Sequence, residues 1–396
     1  MRGMTNTNTQ KTQSLGVIPG CVYFMGKPEF LDVYLRICYN RYISWGNKYI
    51  RRLPIQWASC AQKEGKYRKM AQAFQFGTAK NEDITVKSLF SGAGGLDCGL
   101  SQAGLNVVES YEYDGSACDT LANVGTSDVY RCDITKLLLH GQLRTLVVTA
   151  TFPCTHFSTA GLRDGDELYL DAMRLIRNLS PEIFVLENVP GMKKFEVVME
   201  AFMKMPGYRV KDFVLNVADC GGPQNRKRLI IMGSKTAFDW DFTPVPEGQR
   251  LYLKDILERG VDMPLSKGAA NRLAGKNKGQ WPAHVYDPEE RLYGPTAVAH
   301  YAKDQGDQLI FDRAPDGTER IRSFTVKEYG RLQGFPDDYP FAGGKTATLR
   351  QIGNAVSPYM ARMIGKEIVR YVNTVKPDFG DYNDTHYTVV RKEVLA

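Results

Sequence analysis

From residue 84 onward, short β-branched or apolar runs alternate with segments of helical period, and this alternation restricts the fold more than any other feature. "ITVKSLF" (84–90) runs into a Gly-rich turn, and "GLNVVESYEYD" (104–114) holds the next strand. "TLVVTATF" (145–152) and "EIFVLENV" (182–189) are continuous apolar runs of the kind found in strands buried on both faces. Helical patterns lie between them, such as "DELYLDAMRLIRNLS" (166–180). Strands joined by helices imply a mostly parallel sheet with helices on both faces, an α/β fold of the Rossmann-like type. "YRVKDFVLNVADCGGPQNRKRLIIMGS" (208–234) reads as two strands with no helix between them, which predicts an antiparallel edge.

The alternation stops near residue 235. Residues 235 to about 320 are rich in loop residues and mixed in charge, as expected of a small separate domain. "SFTVKEYGRLQGFPDDYP" (323–340) then opens with a candidate helix cap. "NAVSPYMARMIGKEIVRYV" (354–372) reads as a helix with Ser357 as its cap and Pro358 in its first turn. The expected division is a basic extension (1–84) whose first ~20 residues are disordered, an α/β domain (85–234), a small second domain (235–344), a segment returning to the first domain (345–376) and a tail (377–396).

Composition excludes several classes. No apolar run approaches the ~20 residues needed to span a bilayer, and the polar start "MRGMTNTNTQKTQSLG" does not read as a secretory signal. Eight cysteines without a C-x-x-C pair argue against a zinc ribbon or a disulfide framework, and no metal is expected. A reducing, cytoplasmic setting follows. The net charge is +7. Between Lys27 and Lys80, eleven basic residues face three acidic ones, interleaved with aromatics in "YLRICYNRYISWGNKYIRR". That pattern suits a nucleic-acid contact, in which cations neutralise phosphates and rings stack, and equally an amphipathic helix with a solvated basic face.

The chemistry-bearing residues collect where the strands end. "LFSGAGGLDCGL" (89–100) places glycines between a strand and a helix, where backbone approaches a nucleotide-like ligand. It has neither the G-x-G-x-x-G pattern nor the G-K-[ST] ending of a phosphate loop. Glu112 follows the second strand, where a carboxylate can bind ribose hydroxyls, and Asp133 follows the third, where it can take an adenine amino group. A Gly turn and two acids without a phosphate anchor suit S-adenosylmethionine. Pro153-Cys154 ends the fourth strand and Glu187-Asn188-Val189 the fifth. Alternation along a strand would put Gln224, Arg226 and Arg228 on one face.

The ordered blocks "FSGAGG", "PC…FS", "ENV", "QNRKR", "RLQGFPDDY" and "GNAV" resemble those of the cytosine-5 DNA methyltransferases of bacteria and phages, in unpermuted order, over roughly residues 86 to 373. The resemblance implies a double-stranded DNA substrate, a flipped-out cytosine and a covalent adduct of the Cys154 thiolate with cytosine C6. It implies that Glu187 holds N3 and shares its proton, and that Arg226 and Arg228 hold the base and the active-site loop. Phe90, Gly92, Gly94, Glu112, Asp133, Pro153, Asn354 and Val356 would then surround S-adenosyl-L-methionine. Ser158, Thr155 and Gln224 would contact DNA. Thr155 departs from the family, which usually has Gln after Pro-Cys. His156 is read as a loop residue rather than a base for Cys154. Lys267, Arg272, Lys276 and Lys278 are candidates for phosphates or for solvated charges. A monomer is expected, in a bacterial cell or a phage-infected host, with a restriction endonuclease as an open possibility for a partner. A tRNA-modifying enzyme of the same fold and an inactive DNA-binding scaffold are the competing readings.

Overall fold

The computed structural model describes residues 84–139, 145–153, 168–276 and 283–378. The basic stretch from Lys27 to Lys80, the residues Cys154, Thr155, His156, Ser158 and Lys278, and most of the C-terminal tail lie outside these ranges.

Among the described residues, the strands of the larger sheet are β1 (Thr85–Leu89), β2 (Asn106–Glu112), β3 (Asp128–Arg131), β4 (Val147–Ala150), β5 (Ile183–Asn188), β6 (Arg209–Asn216) and β7 (Lys227–Ser234). Their order is β3-β2-β1-β4-β5-β7-β6. The first five run parallel, while β7 lies antiparallel to both β5 and β6. The expected mostly parallel sheet with an antiparallel edge is therefore present.

The helices are α1 (Gly95–Gln102), α2 (Gly115–Val124), α3 (Leu168–Leu179), α4 (Glu196–Met203), α5 (Leu253–Ile256), α6 (Lys267–Leu273), α7 (Val326–Gln333), α8 (Lys345–Asn354) and α9 (Pro358–Val375). One core packs α1 and α9 on the sheet through Leu96, Leu100, Ile364 and Ile368 against Val86, Val147, Val185 and Ile230. A second core packs α3 and α4 on the opposite face through Leu175, Ile176 and Phe202 against Val148, Phe184 and Ile231. Both sets alternate along the strands, which is why β4, β5 and β7 read as unbroken apolar runs.

A smaller sheet, ordered β10-β9-β8, is built from β8 (Val285–Tyr286), β9 (Leu309–Arg313) and β10 (Glu319–Ser323). Its Ile310 shares a buried cluster with Tyr301, Phe324 and Leu332, and also with Cys98 of α1 and Val124 of α2. This part of the chain is thus packed onto the Gly-turn end of the larger sheet. The sheet is tied to α7 by a buried ionic group. Arg322 donates to Asp312 at 3.0 Å and to both carboxylate oxygens of Glu328 at 2.7 and 2.8 Å, and all three side chains are fully buried. Thr325 caps α7 in a reciprocal box with the same Glu328. Among the described residues, no helix is long and apolar enough to cross a membrane.

Candidate active site

The crevice lies where the parallel order reverses. β1 pairs with β2 on one side and β4 on the other, so the turns after β1 and β4 emerge next to each other. Thr151, just past β4, joins them: its N–H donates to Leu89 O at 3.3 Å and its hydroxyl to Phe90 O at 2.8 Å. Pro153, two residues on, is exposed and leads to Cys154.

The turn after β1 needs its glycines. Phe90, Gly92 and Gly94 all adopt positive φ, at 57°, 57° and 78°. A Cβ on Gly94 would sit 2.7 Å from Leu121 Cδ2 and 2.9 Å from the Tyr339 hydroxyl. A Cβ on Gly92 would meet no protein atom within 4 Å, so Gly92 faces open space that a ligand can occupy. Tyr339 locks the turn by donating its hydroxyl to Ala93 O at 2.6 Å. Asp97, in the first turn of α1, is buried under the same loop and accepts from Ser88 at 2.6 Å and Ser110 at 3.0 Å. Burial pushes its carboxyl up to about 6, against the pull of the two hydroxyls.

Glu112 is fixed by three backbone N–H groups. Oε2 accepts from Gly92 at 2.7 Å, and Oε1 accepts from Tyr113 at 2.8 Å and Asp114 at 2.7 Å. The carboxylate is thereby held rigid beside the Gly turn, with lone pairs left for a diol. Asp133 is part-exposed and directs one oxygen to the Thr135 N–H and hydroxyl. Asn354 is exposed at the end of α8, whereas Val356 is buried in the core. A Cβ on Gly95 would lie 2.3 Å from Val356 O, so the start of α1 rests directly on the 355–356 backbone. These residues fit an adenosyl ligand: open space over Gly92, a pre-oriented carboxylate for hydroxyls, and no cationic side chain on the turn for a phosphate.

On the other side of the crevice, Glu187 is the next-to-last residue of β5 and Arg228 the second residue of β7. The antiparallel register brings them together, with Arg228 Nε 3.0 Å from Glu187 Oε1. Burial raises the Glu187 carboxyl above the usual range, while Arg228 and then Arg226 oppose the rise. A buried carboxyl held by one arginine can present a proton or a hydrogen bond to a ring nitrogen. Asn188 donates from Nδ2 to Phe152 O at 3.1 Å and so pins the β4 exit to the β5 exit.

Two residues depart from the expected common face. β7 begins only at Lys227, so Gln224 and Arg226 precede the strand, where Gln224 makes an isolated parallel bridge to Gly294. Gln224, expected at the DNA, is fully buried. It donates to Leu332 O at 2.8 Å and to Gln333 Oε1, and accepts from Ala297 N–H at 3.0 Å. Its side chain is thus committed inside the protein, and exposed Asn225 and Lys227 are the neighbours that face outward. Arg226, expected at the base, is buried and donates to the carbonyls of Ala297, Gly353 and Ala355. It acts on Glu187 through its field rather than through a hydrogen bond. Of the candidate phosphate contacts, Lys267 and Lys276 are exposed, while Arg272 is ion-paired to Asp304. Sequence reasoning did not single out Asp97, Gln333 or Tyr339, and it named Asn188 only as part of the "ENV" block. Each lies inside or beside a quoted block, but its partner is distant in the chain.

The profile of C-5 cytosine-specific DNA methylases matches residues 84–370. The type II methyltransferase M.NlaX of Neisseria lactamica is 32% identical over 319 residues, covering 73% of this chain and 97% of that protein. M.PspPI of a Psychrobacter species is 32% identical over 353 residues, covering 75% of this chain and 82% of its own length. The crystal structure of a Spodoptera frugiperda DNMT2 mutant superposes with a TM-score of 0.59 at 18% identity, covering 72% of this chain and 99% of that one, a likeness of fold.

Proposed function

Because the chain belongs to the C-5 cytosine-specific DNA methylase family, whose members methylate cytosine C5 in DNA from S-adenosylmethionine, we propose that Cys154 is its nucleophile and Glu187 its acid. The observation that carries this assignment is the buried Glu187–Arg228 pair at the β5 edge, next to the β4 exit that leads to Cys154.

Cytosine C5 is a weak nucleophile. Addition of the Cys154 thiolate to C6 forms an S–C6 bond and moves the ring electrons toward C5. Glu187 holds N3 and delivers its proton there as negative charge develops, and its burial, which raises the carboxyl above its ordinary value, favours the protonated form. Arg228 orients the Glu187 carboxyl, and Arg226 adds positive field while anchoring the surrounding backbone. S-adenosylmethionine supplies one methyl group carried on a sulfonium sulfur. Phe90, Gly92 and Gly94 would line its site, with Glu112 at the ribose hydroxyls, Asp133 at the adenine, and Pro153, Asn354 and Val356 closing the space. Once C5 carries its methyl group, loss of the C5 proton to a base, return of the N3 proton to Glu187 and expulsion of the Cys154 sulfur restore the ring. The target base must leave the helix to reach this crevice. Ser158 and Thr155 are assigned to DNA, and residues 235–344 to recognition of the target.

The relatives are type II methyltransferases, which supports a modifying role beside a restriction endonuclease, with a phage's self-protection and orphan regulation as the alternatives. Duplex DNA, tRNA and labelled donor provide the test. Label in DNA as 5-methylcytosine, abolished by Cys154→Ala, is expected. Label in tRNA alone, or undiminished label in the variant, overturns the assignment. Bisulfite sequencing of DNA from an expressing host then reads the target sequence.

A further inference from the structure

We propose that Gln333, through its side-chain pairing with Gln224, is a positioning residue that couples the segment carrying Arg226 and Arg228 to the Asn354–Val356 segment beside the donor site. This rests on the site assignment above and extends it to residues that touch neither DNA nor donor.

Gln333 is the last residue of α7 and is fully buried. Its Nε2 donates to Ile352 O and Ala355 O, each at 2.9 Å. Its Oε1 accepts from Gln224 Nε2 at 2.5 Å, and its backbone carbonyl accepts the Ser357 hydroxyl at 2.6 Å. Gln224 spends its other donor on Leu332 O and its acceptor on Ala297 N–H. With both amides committed, turning either one over would set like groups against each other. The pair therefore has one alignment.

Two backbone groups make this a junction rather than a local clasp. Ala355 O accepts from both Gln333 Nε2 and Arg226 Nη2, the latter at 3.0 Å. Ala297 gives its N–H to Gln224 and its carbonyl to Arg226. The chain just before β7, the segment after Gly294, the end of α7 and the turn between α8 and α9 are thus joined in one buried network. A shift of the Asn354–Val356 turn when donor binds would be felt at Arg226, and through it at Glu187.

Gln333→Leu, and Gln224→Leu combined with Gln333→Leu, test this in the full-length protein. The readouts are Kd for S-adenosylhomocysteine by calorimetry, kcat on duplex DNA and the melting temperature. The single variant leaves buried amide and carbonyl groups unpaired and should melt lower. It should also bind S-adenosylhomocysteine about tenfold more weakly and turn over about tenfold more slowly. The double variant also unpairs Leu332 O and the Ala297 N–H, so it should melt no higher than the single variant, with binding and kinetic defects at least as large. Wild-type Kd and kcat in either variant overturn the proposal, because the network would then serve stability alone. The binding readout does not depend on Cys154. Failure of the nucleophile assignment, seen as undiminished label with Cys154→Ala, is therefore distinguishable from failure of the coupling.

Discussion

Asp97→Asn isolates one buried charge beneath the Gly turn. Asp97 is 5% exposed, and burial raises its carboxyl from 3.8 to about 6 despite hydrogen bonds from Ser88 and Ser110. The nearby Glu112 charge adds to the rise. A carboxyl whose folded pKa lies above its unfolded pKa contributes its full stability below the unfolded value, and that contribution is lost as pH rises through the folded value. The window here runs from about pH 4 to about pH 6.5. The shift of about 2 units corresponds to roughly 3 kcal/mol when complete, and about half of that falls between pH 5 and pH 7.5. Asparagine has nearly the same shape and cannot ionise, and its amide can still meet the two serine hydroxyls. Urea unfolding of both proteins at the two pH values cancels every other titration. The variant should gain about 1.4 kcal/mol relative to wild type on going from pH 5 to pH 7.5, about a tenfold change in the unfolding constant. Parallel pH dependence of the two proteins, or a relative gain toward low pH, would refute the assignment of a desolvated carboxyl at Asp97.

Three other perturbations discriminate between parts of the molecule. Gly92→Ala puts a side chain at φ 57°, a strain of about 1–2 kcal/mol, and points a methyl group into open space; S-adenosylhomocysteine affinity should fall more than tenfold while the melting temperature drops by only a few degrees, and unchanged affinity would remove Gly92 from the donor site. Arg322→Leu strands the carboxylates of Asp312 and Glu328 in a dry site and should cost about 3–5 kcal/mol in chemical denaturation, with a loss below 1 kcal/mol counting against the buried network. Glu187→Gln retains the shape but not the acid; kcat should fall on the order of a hundredfold or more with S-adenosylhomocysteine binding intact, and near-wild-type turnover would dismiss Glu187 as the proton source.

The larger sheet was legible because its information is local. Apolar runs such as 145–152 mark strands buried on both faces, and their spacing by helical segments dictates parallel pairing. The Gly turn, Glu112 and Glu187 were legible for the same reason, since each ends a strand at the carboxyl edge. Residues whose partners lie far along the chain were not. Two-residue alternation places Gln224, Arg226 and Arg228 together, yet the strand starts at Lys227, and only Arg228 reaches Glu187. The other two turn inward to meet backbone near residues 297, 333 and 355. Ser357 shows the same limit. It stands where a helix cap belongs, before Pro358, but its hydroxyl donates to Gln333 O instead. Arg322 lies in a charged stretch, "TERIRSF", yet it is fully buried, and two carboxylates from separate elements offset the cost of its burial. In each case the local pattern identifies the residue type and its approximate place. The fold then decides whether a polar group faces the crevice or holds the frame around it, and among "QNRKR" it divides those duties between Arg228 and Arg226.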